Sequence, residues 1–122
     1  MYLNDIRITF WNIDGLYQKE GETRICKLDD PDVMESMAAH DLVCLAETHC
    51  SYNDCPSLPG FAKPVQNIRG KSSNANKHFG GLAVFVKESI RKGIKFLPII
   101  NSEYMWLKLE KTFFTSTVYS AP

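Results

Sequence analysis

From Asp5 to Asn12 the chain alternates, with Ile6, Ile8, Phe10 and Asn12 on one face, and this period of two predicts a β-strand. Residues 13–29 are polar and carry Gly15 and Gly21, so they read as a loop with at most a short turn of helix. Asp30 followed by Pro31 supplies a helix N-cap and a proline at the first helical position. Val33, Met34, Met37 and Ala38 then form a stripe at helical spacing that ends near His40. Leu42 to Ala46 is short and continuously apolar, as expected of a strand covered on both faces. Strand, helix and buried strand make a βαβ unit, whose two strands run parallel through a right-handed crossover. Their C-terminal ends share one sheet edge, where ligand sites of α/β sheets form, and Asn12 and Glu47 are the polar residues at those ends.

Ser51 to Asn76 is rich in Pro, Ser, Asn and Gly and reads as a long irregular region, a length that is uncommon in a domain unless it is functional. Gly80-Gly81 opens a second buried strand, Leu82 to Val86, and Lys87 to Lys92 reads as one helical turn. Ile94–Ile99, Tyr104–Leu109 and Phe113–Tyr119 are further strand candidates. In the second of these Tyr104, Trp106 and Lys108 alternate against Met105, Leu107 and Leu109. Strands without intervening helices pair antiparallel, so the expected fold class is α/β of the α+β kind, with a mixed sheet. There is no internal repeat or interdomain linker, and residues 1–122 read as a single domain.

Charge adds a direction. Formal net charge is zero, yet residues 1–55 hold 11 acidic against four basic side chains, and residues 56–122 hold ten basic against three acidic. No acid occurs from Lys63 through Lys87, where Lys63, Arg69, Lys71 and Lys77 fall in the irregular region. A basic stretch of this kind suits a polyanion beside an acidic, metal-attracting half, or is simply a solvated loop. No apolar run approaches the ~20 residues needed to cross a bilayer, so no membrane partner is expected. The first residues lack a signal-type apolar stretch, and the expected setting is intracellular, nuclear or cytoplasmic. The cysteines are Cys26, Cys44, Cys50 and Cys55; without a Cys-x2-Cys pair they read as reduced thiols rather than a zinc site or disulfides.

Four blocks in order carry a resemblance: Ile8-Thr9-Phe10-Trp11-Asn12-Ile13-Asp14-Gly15-Leu16, Asp41-Leu42-Val43-Cys44-Leu45-Ala46-Glu47-Thr48-His49, Gly80-Gly81-Leu82-Ala83-Val84-Phe85-Val86 and Thr117-Val118-Tyr119-Ser120-Ala121-Pro122. In this order they resemble the endonuclease/exonuclease/phosphatase superfamily, and most of all the apurinic-type endonuclease domains of non-LTR retrotransposons. The resemblance implies two packed mixed β-sheets flanked by helices in a four-layer sandwich, and Mg2+-dependent phosphodiester hydrolysis of DNA, with Mn2+ as a possible substitute. It implies Glu47 as the metal-binding glutamate, Asn12 as the asparagine that supports metal and phosphate, and Tyr119 as the tyrosine at the scissile phosphate. Ala46 and Ala121 stand where the family usually has glutamine and a proline-like residue.

The later Asp-x-Asn and Asp-His motifs of such enzymes do not occur in these 122 residues. The chain therefore resembles the first half of the domain and is expected to be impaired or inactive as it stands. The alternative is a non-catalytic nucleic-acid-binding or interaction module derived from the same fold. A missing second sheet would leave the inner face of strands such as Leu82–Val86 uncovered and favour self-association.

Mg2+ takes oxygen ligands and commonly needs only one or two carboxylates besides water and phosphate, which Glu47 fits as well as it fits an ordinary strand-end acid. Asn12 also suits a cap on the following turn, and Tyr119 a packed ring with a hydrogen-bonded hydroxyl. His49, two residues past Glu47, reads as structural rather than as a general base, and His78 as a solvated loop residue. Asp14 is at most an outer carboxylate, and Trp11 and Trp106 read as core.

Overall fold

The computed structural model describes residues 5–69, 80–99, 104–110 and, as backbone only, 119–120. In chain order the strands are β1 (Ile8–Asn12), β2 (Tyr17–Glu20), β3 (Thr23–Cys26), β4 (Leu42–Ala46), β5 (Val65–Asn67), β6 (Leu82–Val86), β7 (Ile94–Phe96), β8 (Leu107–Leu109) and β9 (Tyr119–Ser120). Helix α1 (Pro31–Ala38) lies between β3 and β4, and 3-10 turns occupy Lys27–Asp29 and Glu88–Gly93.

A four-stranded sheet in the order β1-β4-β6-β5 forms the centre. β4 pairs parallel with β1, Ile8 opposite Leu42 through Asn12 opposite Ala46, as the βαβ reading requires. Its other edge pairs antiparallel with β6, which pairs antiparallel with β5. The late strands form a second sheet, β7-β8-β9, antiparallel throughout its described residues. The class is α+β; among the described residues there are one mixed sheet and two antiparallel ones, β7-β8-β9 and the two-stranded β2-β3.

The continuous apolar runs explain the layering. β4 and β6 have no polar side to present to water, so both faces must be covered. One face places Leu42, Cys44, Leu82, Val84 and Val86 against Ile90, Ile94, Met105, Leu107 and Leu109 of the second sheet and its approach. The opposite face places Val43, Leu45, Ala83 and Phe85 against Met37 of α1 and Ile13, Leu16, Leu28, Cys50 and Leu58 of the loops. Helix α1 begins as its sequence predicts, with the Asp30 carboxylate accepting from the Asp32 and Val33 N–H groups ahead of Pro31. It ends under two cations, Arg7 on the Ala39 carbonyl and Lys87 on the Ala38 carbonyl, which suits the negative end of its dipole.

Four expectations are corrected. Residues 13–29 contain the β2–β3 hairpin, closed by the two-residue loop Gly21-Glu22 with Gly21 at φ +65°. Its strands are largely exposed on both sides, so no alternating apolar pattern marks them. The irregular region contains β5, whose three residues include a single apolar one and are held by β6 and by Asn67 donating to the Tyr104 carbonyl. Leu82–Val86 is buried on both faces, because β7 and β8 supply the cover expected to be missing. Ile8 and Phe10 of β1 are instead among the exposed apolar side chains. Trp106 is 41 % exposed rather than core, since the alternation that buries Met105 and Leu107 turns it outward. Trp11 is half-buried against the α1 side of the sheet. Residues 113–118 of the last strand candidate lie outside the described residues.

The hairpin is fastened to the loop after β4 by one ion pair. Arg24 donates from Nη1 to Asp54 Oδ1 at 2.7 Å while its guanidinium lies 3.9 Å above the Tyr17 ring. Asp54 is buried and also accepts from the Ser51 N–H and hydroxyl. The Arg24 hydrogen bond is the main cause that holds the Asp54 carboxyl below its ordinary value; burial, first of all, pushes the Tyr17 hydroxyl up to about 12. A carboxyl whose folded value is lowered contributes stability that is present above the unfolded value of about 4 and lost as pH falls through the folded value. Arg24→Leu should therefore cost about 1–2 kcal/mol at neutral pH in urea unfolding. The difference from the parent should shrink in acid, as Asp54 takes up its proton. Equal urea midpoints at neutral pH would show that the pair contributes nothing.

Candidate functional site

The C-terminal ends of β1 and β4 meet as the parallel register dictates. Asn12 stands opposite Ala46, and the Ile13 N–H donates to the Ala46 carbonyl at 3.0 Å, so Glu47 emerges on the next rung at the same edge. The backbone then leaves regular strand geometry. Asp14, Glu47 and His49 have φ of 48°, 54° and 56°, and Gly15, Gly80 and Gly81 have φ of 89°, 70° and 94°. A left-handed conformation costs a residue with a Cβ about 1–2 kcal/mol, and such strain gathers where surroundings over-determine it, often at functional sites.

Here the over-determination comes from both sides. The Gly15 and Leu16 N–H groups donate to the Glu47 and Thr48 carbonyls at 2.7 and 2.9 Å. From the opposite side, the Thr48 and His49 N–H groups donate to the carbonyls of Gly81 and Gly80 at 3.3 and 2.8 Å. Segment 47–49 is thus clamped between the loop after β1 and the diglycine before β6. Lys27 steadies the first of these, its ammonium donating to the Ile13 and Asp14 carbonyls at 2.7 and 3.2 Å.

Thr48 is buried at the centre of the clamp, while Glu47 and His49 point to the rim. The Glu47 side chain is 44 % exposed and that of His49 22 %. Glu47 Oε2 accepts from the Gly80 N–H at 3.1 Å and lies 3.2 Å from His49 Nε2. Oε1 has no hydrogen-bond partner among the described residues, which leaves one carboxylate oxygen open to a ligand. A Cβ at Gly15 would sit 3.3 Å from His49 Nδ1, so the imidazole lies directly over that glycine. Arg69 crosses the other side of the clamp, where a Cβ at Gly80 would meet its Cδ at 2.9 Å and Nη1 at 3.1 Å.

The edge gathers Asn12 and Glu47 at adjacent rungs, but the Asn12 amide is turned to its own loop and accepts the Asp14 N–H at 3.3 Å. That is the turn-capping role open to asparagine at such a bend. Asp14 itself contributes backbone to this loop. Tyr119 is placed only as backbone, opposite Lys108 in the second sheet, and its side chain lies outside what is described. Lys63 is exposed in the loop before β5; Lys71, Lys77 and His78 lie outside the described residues. Among the described residues no three His, Cys, Asp or Glu side chains gather around a common point. The thiols make no such group either: burial pushes Cys44 and Cys50 each up to about 11.

Three contributors escaped the sequence. The contact of His49 with Glu47 depends on left-handed backbone at both residues, which the sequence does not signal. The Gly80 N–H that holds Glu47 carries no sequence signal beyond the diglycine. Arg69 was visible as charge, without a location.

Gly81 tests the clamp. A Cβ there would stand 2.6 Å from Thr48 Oγ1, and its φ already disfavours a side chain. The Thr48 hydroxyl has no oxygen or nitrogen partner among the described residues and sits by the Cys50 thiol. Gly81→Ala should cost about 2–4 kcal/mol in urea unfolding, and adding Thr48→Ala should recover part of that loss. Additive losses from the two changes would mean that Thr48 is not what the new methyl strikes. No protein-family model, curated protein or solved structure matches the chain.

Proposed function

We propose that this chain is part of an endonuclease/exonuclease/phosphatase-type phosphodiesterase that acts on DNA with Mg2+, or Mn2+ in its place, and that the 122 residues by themselves are impaired or inactive. On this reading it is of the retrotransposon apurinic type, belongs to a four-layer sandwich and works in an intracellular setting where DNA is at hand. The observation that carries the reading is the half-exposed Glu47 carboxylate, fixed by the Gly80 N–H and His49 at the shared end of two parallel strands.

The donor chemistry fits the group. Mg2+ accepts a single carboxylate and completes its shell with water and substrate phosphate, so Glu47 with one open oxygen is sufficient protein contribution. When bound, the ion would supply charge against the phosphate and the leaving oxygen. The chain's own side chains have separate tasks. Glu47 holds the ion, and His49 and the Gly80 N–H orient Glu47, as hydrogen bonds to a ligating carboxylate do. Arg69, across Gly80, offers a guanidinium to a phosphate oxygen. Asn12 fixes the turn beside the carboxylate, and Tyr119 is assigned to the phosphate by the resemblance alone.

A second reading, a nucleic-acid-binding module without catalysis, is favoured by the Asn12 amide oxygen, which accepts the Asp14 N–H at 3.3 Å and so already serves the turn. Three measurements on the chain separate the readings: Mn2+ binding by electron paramagnetic resonance, salt-dependent DNA binding, and nicking of supercoiled plasmid in Mg2+. The enzyme reading expects Mn2+ to bind, with Glu47→Gln abolishing that binding, and expects at most weak nicking by these 122 residues, which the same change removes. His49→Asn should weaken ion binding about tenfold. Nicking that survives Glu47→Gln unchanged removes Glu47 from the ion. Salt-sensitive DNA binding with neither Mn2+ binding nor cleavage selects the second reading.

A further inference from the structure

One peptide unit joins Lys27 to the segment that presents Glu47. The Asp14 carbonyl and the Gly15 N–H belong to the same planar group, so fixing one end directs the other. At its oxygen this unit accepts from Lys27 Nζ at 3.2 Å, and at its nitrogen it donates to the Glu47 carbonyl at 2.7 Å. The Glu47 carbonyl in turn shares a plane with the Thr48 N–H, which donates to the Gly81 carbonyl at 3.3 Å. Two peptide units in series therefore run from the ammonium to the diglycine. Lys27 also holds the bend beside them: its ammonium donates to the Ile13 carbonyl at 2.7 Å and its N–H to the Leu16 carbonyl at 2.9 Å. The residue is itself anchored, since it opens the 3-10 turn Lys27–Asp29, in which Leu28 is fully buried, immediately before the N-cap Asp30 of α1.

We propose that Lys27 is a positioning residue for Glu47, and that its ammonium, rather than its stem, sets the direction in which the 47–49 segment leaves β4. This rests on the reading of Glu47 as the side chain that holds the ion. Two carbonyl oxygens turned to one point repel, and Asp14 bends between them at a left-handed φ of 48°. An ammonium answers both, with three donors and a full charge, where an apolar side chain of the same length offers neither. Hydrogen bonds in series polarise one another, so a cation at the head of the series strengthens the Gly15 bond to Glu47 and the Thr48 bond to Gly81. The Glu47 backbone lies between those two bonds, and its carboxylate and the His49 ring take their direction from it. Lys27 thus acts on the ion site through backbone, without being one of its ligands.

The test compares the whole chain with its Lys27→Met variant, which keeps a stem of similar length without the ammonium. Amide hydrogen exchange read by NMR should show the Gly15 and Thr48 N–H groups losing on the order of tenfold more protection than the amides of β4. Mn2+ binding by electron paramagnetic resonance should weaken about tenfold, as when a partner that orients a ligating carboxylate is removed. The Lys27 side chain lines a cleft of about 430 Å³ with Trp11, Ile25 and Val33, so truncating it leaves a space that a small amine can enter. In Lys27→Ala, propylammonium should restore most of the lost protection and ion affinity, and 1-propanol should restore neither. Parent-like exchange and Mn2+ affinity in Lys27→Met would overturn the proposal. So would protection lost equally along β4, which marks a residue that only adds stability, or rescue by 1-propanol as complete as by propylammonium, which marks a role for the stem. Should the parent itself bind no Mn2+, the ion reading of Glu47 falls, and the exchange pattern alone decides whether Lys27 sets the segment.

Discussion

Leu42–Ala46 offers water no polar face, and the rest of the structure follows from that constraint. A five-residue run of this kind is stable only with a strand on each edge and a layer on each face. β1 and β6 fill the edges in full register, parallel on one side and antiparallel on the other. The second sheet and the α1 layer fill the faces. Because β4 is pinned on all four sides, the residues that follow it leave from a fixed point. Glu47 owes its position to that burial before it owes anything to its own contacts.

The elements that could be read from the sequence are those with a strong apolar pattern of their own. β1, α1, β4 and β6 each carry an uninterrupted signal, and the N-cap of α1 is spelled out by Asp30-Pro31. β2, β3 and β5 carry none, since their cohesion comes from partners rather than from their own composition. The hairpin is held by the Arg24 contacts with Asp54 and Tyr17, and β5 by β6 and the Asn67 amide. Such polar ties span 30 and 37 residues of sequence, beyond any local pattern. The same limit explains Trp106: its place in an alternation was legible, but which side of that alternation faced the core depended on where the second sheet lies.

For the candidate site, topology was legible and orientation was not. Parallel strands guarantee that Asn12 and Glu47 share an edge, because the crossover leaves no other arrangement. Whether their side chains converge depends on backbone angles after the strands end. There Asp14, Glu47 and His49 adopt left-handed φ, values that a sequence does not advertise when glycine is absent. The Asn12 amide oxygen consequently serves the turn, while His49, read from sequence as structural, comes to lie against the carboxylate.

The left-handed residues and the buried threonine are parts of one arrangement. Thr48 is buried at the centre of the clamp, while Glu47 and His49, both at left-handed φ, meet at the rim with Oε2 and Nε2 3.2 Å apart. Holding them there against solvent needs the backbone fixed on both sides, and this is what the carbonyls of Gly80 and Gly81 and the N–H groups of Gly15 and Leu16 do. Glycine is required at position 81 because any side chain would occupy the space of the Thr48 hydroxyl, and is favoured at position 15 by its φ of +89°, where a Cβ would also press on the His49 ring. The diglycine therefore acts twice: its carbonyls fix the segment and the Gly80 N–H fixes the carboxylate. A surface glutamate ordinarily samples several rotamers, at a cost of about 1–2 kcal/mol when it is ordered. Here much of that ordering is already done in the folded chain, which is the condition a single carboxylate must meet to hold an ion with one oxygen.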